Sequence, residues 1–149
     1  MTVLKIAISA FLLLEAANVI TLYWFPGSKY ANGVGVFKAW DTSKRDPAMH
    51  RFVQYLVNWV AGTKLIFILL LIVTLSTAND GGLILTGVAM VLSIASFFWR
   101  LFPLIRHMDR AGELDPPGYS SVLGGMILGF ILAFLIATSI AVGLSLGGA

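Results

Sequence analysis

LIFILLLIVTLSTANDGGLILTGVAMVLSIASFFW, residues 65–99, carries a single charged side chain, Asp80. Crossing a hydrocarbon core of about 30 Å takes about 20 residues at 1.5 Å each. The apolar runs on either side of Asn79, Asp80, Gly81 and Gly82 extend to 52–77 and 83–105 and meet that length. The four turn-forming residues between them read as a tight turn at one membrane face. The stretch is therefore a hairpin of two membrane helices.

Outward from this hairpin, 3–24 and 120–147 are further runs of the same kind. The 149-residue chain is 58% hydrophobic and 11% charged, against about 45–50% and about 25% for soluble domains. The expected fold is all-α: an integral-membrane four-helix bundle forming one domain over 1–149, with loops at 25–51 and 106–118. The first run ends on Tyr23, Trp24 and Phe25 without a small-residue cleavage site, so it reads as a retained helix. With no cysteine, disulfides and thiolate metal sites are excluded.

An even number of spans puts both termini on one side. Lys29, Lys38, Lys44, Arg45 and Arg51 in the first loop, with Arg106 and Arg110 in the last, assign those loops to the cytoplasm by the positive-inside rule. Both termini then face out, and the plasma membrane is the expected location. Lys5 dissents. Tyr23, Trp24, Tyr55, Trp59, Trp99 and Tyr119 cluster at span ends on the loop side, where amphipathic rings favour the headgroup level. The net charge of +3 reflects these loops, and nucleic acid is not an expected partner.

Local signals refine the spans. Asp46 and Pro47 form a cap and first-turn pair for the second helix. Pro116, Pro117 and Gly118 precede a fourth helix that Ser120 or Ser121 would cap. Pro103 is expected to bend or end the third helix. Val34, Val36, Phe37, Ala39 and Trp40 read as a short segment lying on the headgroups.

Three features bear on function. The first is the row Ser121, Gly125, Gly129, Ala133, Ala137, Ala141 and Ser145 at spacing four, containing a GxxxG pattern. Small residues let helices approach closely, either inside this bundle or against another copy or partner subunit. The second is intramembrane polarity. Glu15 and Lys64 each lie about 14 Å inside the loop-side face, counted at 1.5 Å per residue, so a salt bridge is expected. Asn18, Asn58 and Arg100 join them as candidates for a cytoplasm-facing pocket whose excess of cations attracts a small anionic solute or lipid headgroup. The third is the pair His50 and His107, candidate ligands for haem or, with Asp109, Glu113 and Asp115, for a divalent cation.

No HExxH, P-loop or nucleophile elbow occurs. In size and helix count the chain resembles the small four-helix membrane enzymes of eicosanoid and glutathione metabolism, but it lacks their polar helix motifs, and no family is assigned. The leading expectation is a noncatalytic membrane subunit that packs with itself or a larger complex and holds lipid or pigment. Transport or binding of a small anion through the pocket is the first alternative. An interfacial lipid-modifying enzyme using Arg106, His107, Asp109, Arg110, Glu113 and Asp115 is the second.

Overall fold

Asp46 takes an extended conformation after a turn, and its carboxylate accepts hydrogen bonds from Ala48 N at 2.9 Å and Met49 N at 3.3 Å. With Pro47 in the first turn, where its missing N–H costs nothing, it starts a helix of 31 residues. In the computed structural model, which describes residues 1–147, this is α3 (Pro47–Thr77). The other helices are α1 (Thr2–Trp24), α2 (Lys38–Ser43), α4 (Asp80–Ala95), α5 (Phe97–Arg110) and α6 (Tyr119–Gly147), with one 3₁₀ turn at Val34–Val36. α1, α3, α6 and the stack of α4 on α5 are each long and apolar enough to cross a membrane. The chain is thus an all-α, multi-pass, four-helix membrane protein. Among the described residues the only β-type pairing is one isolated bridge, Phe37 to Leu114.

The helix boundaries depart from the sequence expectation in four places. The α3–α4 turn is only Ala78 and Asn79; Asn79 accepts from Gly82 N at 2.8 Å, so Asp80, Gly81 and Gly82 are already helical. Pro103 does not end the third span. The break falls at Ser96, where the hydroxyl donates to Ser93 O at 2.6 Å and Trp99 N to Ser96 O at 3.1 Å, locally tightening the turn. α5 then runs through Pro103 to Arg110, so the last loop is shorter than read from sequence, whereas α3 begins at Pro47 as the Asp46–Pro47 pair signalled. α6 is capped from outside: Asp109 accepts from Gly118 N, Ser120 N and Ser120 Oγ at 2.6–2.9 Å.

Packing divides the bundle into two halves. In the half away from the long loops, Leu4, Ile8 and Phe11 of α1 meet Leu71, Leu83, Met90, Phe134, Ala137 and Ala141 in one core. Gly87 brings α4 against α6 there; a Cβ at this position would overlap Thr138 Oγ1. Such close contact replaces the hydrophobic drive that lipid cannot supply between helices. In the loop-side half that single core separates into two. Leu22, Val57 and Ala61 join α1 to α3, while Ile105, Leu114 and Leu123 join α5 to α6.

Candidate functional site

The two separated helix pairs leave a cavity of about 770 Å³ between them. Its floor is aromatic. Phe11 makes edge-on contacts with Phe67 and Phe130, centroids 6.3 and 5.3 Å away, and with Phe134 beneath them at 5.6 Å. Its walls come from α1 (Leu14, Glu15, Ala17, Asn18), from Lys64 of α3 and, opposite, from Phe97, Leu101, Val122 and Met126. Lys29, Tyr30, Ala31 and Asn32 reach in from the loop side. Leu14, Ala17, Leu101, Val122 and Met126 are also exposed on the bundle surface. The cavity therefore opens sideways, at a depth where acyl chains surround the protein.

A clasp between the two long loops bridges the helix pairs on the loop side of the cavity, with Lys29 common to clasp and cavity. Lys38 N donates to Glu113 O and Asp115 N to Val36 O, both at 2.9 Å, flanking the Phe37–Leu114 bridge. Lys38 Nζ donates to Gly112 O at 2.7 Å, and Lys29 Nζ to Asp115 Oδ2 at 2.5 Å. The hydrogen bond and charge of Asp115 hold the Lys29 ammonium above its ordinary value, and Lys29 holds the Asp115 carboxyl below its own. Leu114 is buried beneath these contacts. Together they tie α1 and α3 to α5 and α6 where the helices have parted.

In the cavity wall Lys64 Nζ donates to Glu15 Oε2 at 2.5 Å, and Asn18 Nδ2 to Glu15 Oε1 at 3.4 Å. The side chains of Glu15 and Lys64 are 14% and 27% exposed, so the pair is shielded but reachable from the cavity. Matched depth on neighbouring helices was the signal that found it. The other two pocket candidates are elsewhere. Asn58 is exposed on α3, and Arg100 lies over the Trp99 ring at 5.8 Å, on the outside of α5. The cavity thus lacks the cation excess expected of it, because Lys64 is matched by Glu15 and Lys29 by Asp115. Sequence reading missed Tyr30 and Asn32, because a loop that folds back over a cavity leaves no periodic signal, and Met126, one apolar residue among many on α6.

The small-residue row divides. Ala137 and Ala141 are buried in the core, whereas Ser121, Gly125, Gly129 and Ala133 are exposed, as is Ser145. A Cβ added at Gly125 or Gly129 would meet nothing within 4 Å. The glycine that does bring α6 close to α5 is Gly124, outside the row, where a Cβ would lie 2.6 Å from Phe102 Cε2.

The histidines do not come together as a ligand pair. His50 Nδ1 is 2.8 Å from Ser43 Oγ, which donates to Trp40 O, and Nε2 is 3.3 Å from Gln54 Nε2. That corner fastens α2 onto α3. His107 is exposed on α5 beside Arg106. Among the described residues no three His, Cys, Asp or Glu side chains are grouped for a metal ion. No family model matches the sequence, and comparison with curated proteins and with solved structures finds no match.

Proposed function

We propose that this is a noncatalytic membrane protein that takes up a lipid-like molecule sideways from the bilayer and holds it between its two helix pairs. The lateral cavity carries this reading. About 770 Å³ falls within the usual 300–1,000 Å³ of small-molecule sites, and its aromatic floor suits an apolar tail. The Glu15–Lys64 pair and Asn18 offer both acceptors and donors to a polar head, and their charge balance favours a neutral or zwitterionic head over the small anion first expected. Glu15 and Lys64 are bonded to each other and Lys29 to Asp115, which suits holding better than proton transfer.

Mass spectrometry of the native protein from mild detergent tests this. Wild type is expected to retain one amphiphile per cavity, and Ala17→Trp, which fills the opening, to lose it. Equal retention by both would refute the reading.

A second reading, association through α6, rests on the outward Gly125 and Gly129. Gly129→Leu is then expected to shift the assembly to smaller species in gel-filtration or native-mass measurements. For orientation, we place the long loops in the cytoplasm of a plasma membrane and both termini outside, on their lysines and arginines. The chain has no cysteine, so impermeant thiol labelling of single replacements is clean. Asn79→Cys should label from outside intact cells and Lys44→Cys should not.

A further inference from the structure

α5 has two unlike sides. Phe97 and Leu101 line the cavity, and Ile105 is buried against Leu114 and Leu123. At roughly 100° per residue, positions 103, 106, 107 and 110 lie on the far side. There, with Phe102, they line a separate shallow groove of about 310 Å³. Phe102 is half-buried over Gly124, and Pro103 beside it is exposed, giving the groove an apolar floor at one end. Arg106, His107 and Arg110 are exposed at the other end, and among the described residues none of them has a carboxylate partner.

Three carboxylates lie close in sequence, and the fold uses two of them elsewhere. Asp109, between the basic residues on the same helix, is turned to cap α6. Asp115 is paired with Lys29. Glu113 makes no ion pair among the described residues and lies beyond Gly112, whose φ of 72° redirects the chain. The groove is therefore one-sidedly cationic, although acids and bases alternate in its stretch of sequence.

We infer that this groove holds the phosphate of an anionic phospholipid headgroup. Two arginines one turn apart present planar forks suited to phosphate oxygens, and His107 adds a third donor. The apolar floor favours a lipid over a soluble phosphate, since it continues the hydrocarbon-facing side of α5 up to the basic end. Trp99, exposed one turn before Pro103, marks the level of the interface. Basic residues near a helix C-terminus also complement its dipole; that role alone gives stability without lipid preference.

The test uses the full-length protein in phosphatidylcholine bilayers, reading the relative association of spin-labelled phosphatidylglycerol and phosphatidylcholine by electron paramagnetic resonance. Wild type is expected to select phosphatidylglycerol. Arg106→Gln with Arg110→Gln should remove most of that selectivity, because glutamine keeps neither the charge nor the paired N–H fork. Arg106→Lys with Arg110→Lys should fall between. Arg45→Gln with Arg51→Gln, on exposed basic residues of the same loop side, should leave it intact. Unchanged selectivity in the first double variant would overturn the proposal, as would an equal loss in the Arg45 and Arg51 variant, which would mean a diffuse basic surface. Loss of wild-type selectivity in millimolar inorganic phosphate, but not in chloride of matched ionic strength, would also overturn it. All four arginines are exposed, and unaltered thermal unfolding confirms that each variant is folded.

Discussion

Lys64 and Glu15 each carry a charge into hydrocarbon, and neither is tolerable there alone. A charge at the bilayer centre costs about 2.5–3.5 kcal/mol on insertion scales, and removing one partner leaves that cost uncompensated. Lys64→Met is expected to lower stability by about 2–3 kcal/mol in reversible unfolding from mixed micelles. Adding Glu15→Gln should restore at least half of the loss, since the amide keeps the contact with Asn18 without the charge. If the double variant is no more stable than the single one, the pair does not act as a unit. Residue-scale chemistry was legible in sequence here, because two charges at equal depth on adjacent spans have few alternatives to meeting. Arg100 shows the limit of that logic. It lies close enough to the interface to extend outward along the Trp99 ring, and nothing compels it inward.

At the scale of the helix, α6 carries adjacent glycines with opposite roles. Gly124 faces Phe102 and Gly125 faces open space. Gly124→Leu should force α5 away from α6 and cost about 1–3 kcal/mol, the usual penalty for overpacking. Gly125→Leu should leave the stability of a single chain unchanged. A thermal comparison of the two separates the packing face of α6 from its free face, and equal losses would contradict the assignment. Spacing alone could not choose between them, because small residues crowd every side of this helix. The cap of α6 makes the same point. Asp109→Ala should cost about 1 kcal/mol, as for other helix caps, while Ser121→Ala should be neutral. Sequence reading looked for the cap next to the helix, and the fold supplied it from ten residues upstream.

For the whole molecule, the loop clasp decides whether the two helix pairs stay joined above the cavity. Its charged part is Lys29 with Asp115. Asp115 titrates below its ordinary 3.8, so its contribution is present above that value and is lost as pH falls through the lowered one. Lys29 titrates above its ordinary 10.5, so its contribution is full below 10.5 and is lost as pH rises through the raised value. The clasp should therefore be constant from about pH 5 to pH 9. Spin labels on Tyr30→Cys and Pro117→Cys should keep one separation across that range and broaden below pH 3. In Lys29→Met they should be broader at neutral pH already. A separation that changes between pH 6 and 8 would mean that another group governs the clasp.

Hydrophobic length and the near absence of charge were enough, from sequence alone, to determine four membrane helices, their approximate limits and the meeting of Glu15 with Lys64. Those properties are local or depend only on depth, and the bilayer imposes them on any chain of this composition. Tertiary structure alone decided that the core divides into two halves, that the cavity opens sideways with balanced charge, and that Gly124 packs while Gly125 does not. Each depends on the rotation of one helix about its axis relative to another. Lipid solvates every apolar face equally well, so composition leaves that angle open, and shape and polar contacts between helices set it.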